Sequence, residues 1–254
     1  MKKRKAGIGI FVIVLIITAV RVKSMDSHRI SGRILAENIA GPGMLRLVEQ
    51  SMQSRARKTS VTEIAVKERK HPQAALTFDD GPDIRYTPLL LDGLKERNVR
   101  VSFFLLGEKV EQYPELVERM QKEGHLVGNH TYHHVQLNKL NETKAREEIL
   151  KTNNLIYETT GVYPLYLRPP FGAWKKNLEL CVEMLPVFWT IDTLDWKVQN
   201  TEKIVRTVQE QIEDGAIILM HDEYDTSVEA ALQVVDELKA QGYQLVTVDQ
   251  LILP

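Results

Sequence analysis

The 254-residue sequence lacks the features that would tie it to several common protein classes. It contains one cysteine, Cys181, so no disulfide can form within the chain. No Cys-x-x-Cys pair indicates a cysteine-ligated zinc site, and no His-Glu-x-x-His sequence indicates a zinc protease. The formal net charge is −1, so no basic field favours binding to nucleic acid. The 43% hydrophobic content is nevertheless ordinary for a globular protein with a sizeable core.

One apolar run has a length between that of a signal-peptide core and that of a membrane-spanning helix. It extends from Ala6 to Val20, after basic residues at positions 2–5, and it ends at Arg21. No small-x-small cleavage site follows, which favours an uncleaved signal anchor over a cleaved signal peptide. The basic residues before the run predict a cytoplasmic N-terminus and an extracytoplasmic remainder. We therefore expect a single-pass cell-membrane protein, or a secreted one if the segment is cleaved.

The chain divides into three predicted regions. Residues 1–21 form the basic tip and the anchor, residues 22–73 form a polar stem, and residues 74–254 form the folded domain. Within the stem, apolar residues at helical spacing between Met44 and Met52 predict one short amphipathic helix. That helix has two open interpretations, packing against the following domain or lying on the membrane surface.

The folded domain alternates short apolar runs with helical patterns, which predicts an α/β fold with a parallel sheet covered by helices. The predicted strands are Ala75–Phe78, Val101–Leu105, Leu126–Gly128, Leu165–Leu167, Val187–Ile191, Ala216–Met220 and Gln244–Val248. The predicted helices include Thr87–Glu96, Pro114–Lys122, Thr143–Thr159, Thr201–Glu213 and Val228–Ala240. Periodicity alone leaves an open doubly wound sheet and a barrel as alternatives.

Two of these strands lead into residues suited to bind a metal ion. Asp79 and Asp80 follow the first strand, and His130 and His134 follow the third. If the two histidines lie on a helical turn, their four-residue spacing places both imidazoles on one face. Two imidazoles and one carboxylate are suited to zinc or a similar divalent ion, and three protein ligands leave a position open for water. An acidic surface turn and a pair of surface histidines are the alternatives.

Three other strands also end in polar residues. Arg168 follows the fourth strand beside two prolines, Asp195 follows the fifth, and His221 ends the sixth. Ligands of parallel α/β proteins gather at the carboxyl ends of the strands. Five strand ends that carry such groups therefore predict one shared site.

This set of motifs is similar to that of the polysaccharide deacetylases, carbohydrate esterase family 4, which carry the NodB-homology domain. The resemblance covers roughly residues 73–253. The five ordered motifs are Thr77-Phe78-Asp79-Asp80-Gly81-Pro82, His130-Thr131-x-x-His134, Arg168-Pro169-Pro170-Phe171-Gly172, Asp192-x-x-Asp195-Trp196 and Leu219-x-His221. The resemblance implies a distorted (β/α) barrel of about seven parallel strands with surrounding helices.

The resemblance also implies catalytic roles for four residues. Asp79 corresponds to the general base, and Arg168 pairs with that base. His221 corresponds to the general acid that protonates the leaving group, and Asp195 orients it.

Six further residues are implied to bind the metal or the substrate. The implied metal ligands are Asp80, His130 and His134. Trp196 and Leu219 correspond to the walls of the groove for the acetyl methyl group. Phe171 stands where tyrosine is common in the family, and its backbone N–H corresponds to the oxyanion donor.

The implied activity is metal-dependent hydrolysis of N-acetyl groups on an N-acetylhexosamine polysaccharide, with release of acetate. The implied cofactor is one divalent ion, Zn²⁺, with Co²⁺, Mn²⁺ and Ni²⁺ as alternatives. Because the predicted anchor places the domain next to the cell wall, we expect peptidoglycan N-acetylglucosamine as the substrate, with N-acetylmuramic acid or a secreted chitin-like polymer as the next candidates. No nucleic-acid or protein partner is evident. A chitooligosaccharide deacetylase, a xylan O-acetyl esterase and a sugar-binding pseudoenzyme are the alternatives.

Overall fold

The computed structural model describes residues 71–174 and 184–252. The predicted anchor over Ala6–Val20 and nearly all of the predicted stem lie outside these residues. Both segments, and the domain boundaries drawn around them, therefore stay predictions. Within the described ranges, no helix has the length and apolar character needed to cross a membrane.

One parallel sheet forms the centre of the described domain. Its order is β5-β4-β3-β2-β1-β7-β6, and β8 pairs with the start of β1. The strands are β1 (Gln73–Asp79), β2 (Ser102–Leu105), β3 (Leu126–Asn129), β4 (Tyr166–Leu167), β5 (Leu185–Pro186), β6 (Ile191–Asp192), β7 (Ala216–His221) and β8 (Gln244–Leu245). The two longest strands, β1 and β7, pair along six residues at the centre.

A short connection between the two edge strands shows that this sheet is curled. β5 and β6 lie at opposite ends of the strand order, yet they are consecutive in the chain. The amide of Val187 donates to the Leu167 carbonyl, and the amide of Thr190 donates to the Ile217 carbonyl. Three residue steps span at most about 11 Å, whereas the edges of a flat seven-stranded sheet lie about 29 Å apart. The edges must therefore approach each other, which confirms the distorted barrel.

Two of the predicted strands are wrong in detail. The predicted strand Val187–Ile191 is instead the connection between β5 and β6 with the first residue of β6, because Val187 bonds to β4 and Thr190 bonds to β7 on the other side of the sheet. The predicted strand Gln244–Val248 stops at Leu245, because β2 occupies the remainder of that side of β1 from Thr77 onward. The other five strands occur where the apolar runs predicted them, with ends that differ by at most two residues.

Helices surround the sheet, and the longer ones cover its outer face. They are α1 (Tyr86–Glu96), α2 (Gly107–Gln112), α3 (Pro114–Lys122), α4 (Glu142–Thr160), α5 (Asp195–Val198), α6 (Thr201–Gln211), α7 (Asp225–Ala240) and α8 (Val248–Ile252), with 3-10 turns at Leu137–Lys139 and Pro170–Gly172. All five predicted helices are present, whereas the short α2, α5 and α8 were missed. The main core lies between these helices and the outward side chains of the strands, such as Leu76, Phe78 and Met220.

The inner face of the barrel forms a second, smaller core. Side chains of a strand alternate between its two faces, so Ala75, Thr77 and Asp79 of β1 point inward. Ala75 packs with Phe104 and with Val248 and Leu251 of α8. Gly128 leaves room for the Phe104 ring, since an added Cβ would lie 2.7 Å from it. The apolar side chains fill the part of the barrel near Ala75. The polar inward residues of β1, Thr77 and Asp79, lie toward its carboxyl end, on the same side of the barrel as Arg168 after β4 and His221 at the end of β7.

Candidate active site

The carboxyl ends of five strands converge on one group of polar side chains. Asp79, the last residue of β1, is in register with His221, the last residue of β7. On the other side of β1, β2 and β3 connect it to β4, after which Arg168 follows directly. Asp192 of β6 is in register with Leu219, so the segment with Asp195 begins at the same rim. These pairings place the predicted site residues along one rim of the sheet, and their roles stay predictions.

Three predicted metal ligands, Asp80, His130 and His134, come together with the spacing of a cation site. One ligand atom from each residue lies within 4.8 Å of the others. The Nε2 atoms of His130 and His134 lie 3.4 Å and 3.5 Å from Asp80 Oδ1. That oxygen is buried and has no hydrogen-bond partner among the described residues. A buried carboxylate oxygen without a donor is costly, and a cation held by these three residues would satisfy it.

The tautomer and the protonation state of His130 are those that a metal ligand requires. Its Nδ1 lies 2.7 Å from the Arg168 carbonyl oxygen, which only accepts hydrogen bonds, so Nδ1 carries the proton. Its Nε2 therefore presents a lone pair toward Asp80. Burial lowers the pKa of His130 to about 3, although the Asp80 charge opposes this shift. The imidazole is thus neutral at ordinary pH, as a metal ligand must be.

The two histidines are brought together by a turn, and the predicted helical arrangement is wrong. Residues 130–134 contain no helix, and Thr131 and His134 have φ angles of 67° and 55°. Left-handed angles of this kind are uncommon for residues other than glycine, above all for β-branched threonine. The ring centroids of the two histidines are still only 5.0 Å apart.

A buried ion pair holds Asp79. Arg168, which is fully buried, donates from Nη1 to Asp79 Oδ1 at 2.8 Å and to Thr77 Oγ1 at 2.7 Å. Burial raises the pKa of Asp79, and the charge and hydrogen bond of Arg168 only partly offset it. A carboxylate with a raised pKa is a stronger base than one in water, so this geometry suits the predicted role.

His221 and Asp195 form a second pair. Asp195 Oδ1 lies 2.8 Å from His221 Nδ1, and Asp195 Oδ2 accepts the backbone N–H of His221 at 2.8 Å. Burial lowers the pKa of His221, but Asp195, with the charges of Asp79 and Asp80, outweighs burial and raises it to about 9. His221 Nε2 remains directed to the centre, 3.8 Å from Asp80 Oδ2. The pair can therefore deliver a proton there.

The three predicted substrate-binding residues lie at the rim. Phe171 is 65% exposed, has a φ of 60° and places its ring 4.5 Å from that of His134. Trp196 is 49% exposed and follows Asp195 at the start of α5, whereas Leu219 is buried two residues before His221. Their positions permit the expected roles, which stay predictions.

Two aromatic residues of the site were missed, and Thr77, although it stands in the first motif, was given no role. Phe104 lies under the Arg168 guanidinium at 4.2 Å, and Trp189 lies at 5.8 Å. Thr77 accepts from Arg168 and donates to the Ile218 carbonyl at 2.7 Å. The period-two alternation of β1, which places Thr77 on the face of Asp79, was an available signal for the threonine. No comparable signal marks the aromatic residues, because their approach to Arg168 depends on the curl of the sheet.

The sequence is similar to those of known polysaccharide deacetylases. The family model described as Polysaccharide deacetylase matches residues 66–187. Peptidoglycan-N-acetylglucosamine deacetylase PgdA of Listeria monocytogenes is 41% identical over 185 residues, which are 73% of this chain and 40% of that protein. Peptidoglycan-N-acetylmuramic acid deacetylase PdaC of Bacillus subtilis is 44% identical over 177 residues, which are 70% of this chain and 38% of that protein. The chain thus spans less than half the length of these two relatives.

A solved structure extends the similarity to three dimensions. The structure of peptidoglycan deacetylase PdaC from Bacillus subtilis superposes with a TM-score of 0.70 at 42% sequence identity. The match covers 72% of this chain and 91% of that structure.

The Asp195–His221 pair gives a prediction about protonation. In the metal-free protein, Asp195→Asn should lower the pKa of His221 well below about 9, because the carboxylate charge is lost while burial remains. The folded pKa exceeds the ordinary value of about 6.5, so the pair's contribution to stability is complete below about pH 6.5 and is lost as the pH rises through about 9. NMR titration of the histidine ring measures the shift. Asp192→Asn is the control, and an unchanged His221 pKa in Asp195→Asn would contradict the assignment.

Proposed function

This chain belongs to the polysaccharide deacetylase family, and from that membership we propose that it hydrolyses N-acetyl groups of a cell-wall polysaccharide. One observation carries the proposal. The three-residue cation site, the Asp79–Arg168 pair and the Asp195–His221 pair meet within a few ångströms at one end of the barrel. Such a site has separate groups for water activation and for protonation of a leaving amine.

We propose that Asp80, His130 and His134 hold one divalent ion, Zn²⁺. Two imidazoles and one carboxylate are a common ligand set of catalytic zinc, and Co²⁺, Mn²⁺ or Ni²⁺ also accept it. When bound, such an ion supplies Lewis acidity that polarises a carbonyl and makes water easier to deprotonate.

The side chains then divide the reaction between them. Asp79 accepts a proton from water while the water oxygen bonds to the acetyl carbonyl carbon. The Phe171 N–H donates to the developing oxyanion, and a donor of this kind contributes about 3 kcal/mol to the barrier reduction. His221 gives its proton to the amide nitrogen as the C–N bond breaks, because an amine leaves poorly unless it is protonated. Acetate and an amino sugar are the products.

The roles of the remaining residues follow from this assignment. Arg168 keeps Asp79 oriented and charged, and Asp195 keeps His221 protonated with Nε2 toward the substrate. Trp196 and Leu219 line the groove for the acetyl methyl group. Because the base and the acid are both present and paired, a sugar-binding pseudoenzyme is disfavoured.

We propose peptidoglycan as the substrate, with its N-acetylglucosamine as the preferred sugar. The Listeria and Bacillus relatives are named for deacetylation of the two different peptidoglycan sugars, which supports the polymer more than the choice of sugar. The proposed anchor over residues 6–20 would hold the domain outside the membrane, beside this polymer. Chitooligosaccharides and the O-acetyl groups of xylan remain the alternative substrates.

Acetate release from three substrates tests the proposal. Purified peptidoglycan, chitin oligomers and acetylated xylan are incubated side by side with the full chain, with and without a chelator. We expect the fastest release from peptidoglycan and loss of that release on chelation, with recovery on addition of Zn²⁺. Faster release from xylan would contradict the N-deacetylase assignment, and full activity of a metal-free preparation would contradict the metal site.

Two substitutions separate the base from the acid. Asp79→Asn should lower the rate by about 10²–10⁴ on amide and ester substrates alike, because water must be activated for both. His221→Ala should cause a similar loss on the amide but a much smaller loss on an aryl acetate, whose leaving group needs no proton. Steady-state rates on both substrates measure the contrast, with metal content as the control. Equal losses for His221→Ala would remove its assignment as the leaving-group acid.

A further inference from the structure

The turn of residues 130–134, which carries two of the proposed metal ligands, has an uncommon backbone conformation that needs stabilising contacts. Thr131 and His134 both have left-handed φ angles. Within the described residues, no hydrogen bond orients the ring of His134, whose Nε2 only approaches Asp80. The backbone of the turn therefore fixes where this ring starts, and contacts with the rings of His130 and Phe171 help to hold its direction.

The backbone amides of the turn are bound by side chains that lie outside it. The N–H groups of Tyr132 and His133 both donate to Glu148 Oε2, at 3.1 Å and 2.9 Å. The other oxygen of Glu148 lies 2.8 Å from His133 Nδ1. The N–H of Thr131 donates to Asn129 Oδ1 at 2.7 Å. Glu148 thus makes three of these four contacts. The carbonyls of Thr131 and Tyr132 also accept the N–H groups of Gly107 and Glu108, at 2.9 Å and 3.3 Å, so Glu148 holds the amide side of the turn.

Glu148 is itself held in a fixed position relative to β3. It lies on α4 beside the buried Ile149, whose carbonyl accepts a hydrogen bond from Asn129 Nδ2 at 2.9 Å. The same nitrogen donates to Asn153 Oδ1 at 2.7 Å. Because Asn129 immediately precedes His130, this network connects α4 to the metal ligand as well as to the turn.

We propose that Glu148 is a positioning residue for the cation site. Its carboxylate holds the left-handed turn in the form that directs His130 and His134 toward Asp80, and it does so without contacting the ion. This inference rests on the proposed function, since it requires that Asp80, His130 and His134 bind a metal. Outer partners of this kind change metal affinity, whereas a carboxylate that serves only folding changes stability alone.

Zinc affinity of the metal-free chain, measured by competition with a chromophoric chelator, tests the proposal. Glu148→Ala should weaken Zn²⁺ binding by roughly 10–100-fold, because two backbone amides lose their acceptor. Glu148→Gln should keep most of the affinity, because its amide oxygen still accepts both N–H groups. Glu147→Ala is the matched control, since Glu147 is an exposed neighbour on the same helix that loses the same charge.

The unfolding midpoint of each metal-free variant is measured in parallel. If Glu148→Ala lowers the midpoint while zinc affinity changes by less than about twofold, the carboxylate is only structural and the proposal is wrong. If Glu148→Ala does not fold, Glu148→Asp decides in the same way, because it retains the charge but retreats from the amides. The His134→Ala variant distinguishes a failure of the proposed metal site from a failure of the Glu148 proposal. Failure of the unaltered chain to bind zinc more tightly than His134→Ala contradicts the proposed function, whereas normal binding by all Glu148 variants contradicts this inference alone.

Discussion

The buried ion pair between Asp79 and Arg168 is the interaction on which the site depends. The arginine is fully inside the barrel, and its Nε and Nη2 atoms have no hydrogen-bond partner among the described residues. A charge in such surroundings is tolerated only because Asp79 neutralises it and the faces of Phe104 and Trp189 lie near it. The pair also fixes other parts of the centre, since the Arg168 carbonyl sets the tautomer of His130. One residue therefore orients the base and prepares a metal ligand.

The curl of the sheet makes this pair possible. Asp79 ends β1 and Arg168 follows β4, and two strands separate β1 from β4, so a flat sheet would keep their backbones about 14 Å apart. Because the connection from Val187 to Thr190 is short, the two edges of the sheet must approach each other. The side chains of Asp79 and Arg168 then both point into the interior of the barrel. The same connection also carries Trp189 toward the guanidinium. The connection is thus both a topological constraint and a source of part of the site.

Much of this arrangement was predictable from the sequence, and the failures have physical causes. β1 and β7 were predicted well because buried parallel strands are continuous apolar runs, and their polar last residues, Asp79 and His221, marked the site. The run Val187–Ile191 has the same composition, yet its backbone bonds to two different strands, which no local pattern records. The histidine turn was misjudged as helical because spacing shows which residues meet but not the backbone path. That path depends on Glu148, a residue fifteen positions away from His133.

The coupling free energy between Asp79 and Arg168 is the measurement that tests this account most directly. A double-mutant cycle with Asp79→Asn and Arg168→Met, followed by chemical unfolding of the metal-free chain, isolates it from other effects. We predict that each single substitution destabilises the fold by about 3–5 kcal/mol and that the double substitution costs clearly less than the sum. The exposed pair Arg97–Asp236, at 2.9 Å, is the control and should couple by at most about 1 kcal/mol. Additive losses at Asp79 and Arg168, or a coupling no larger than that of the control, would contradict the account.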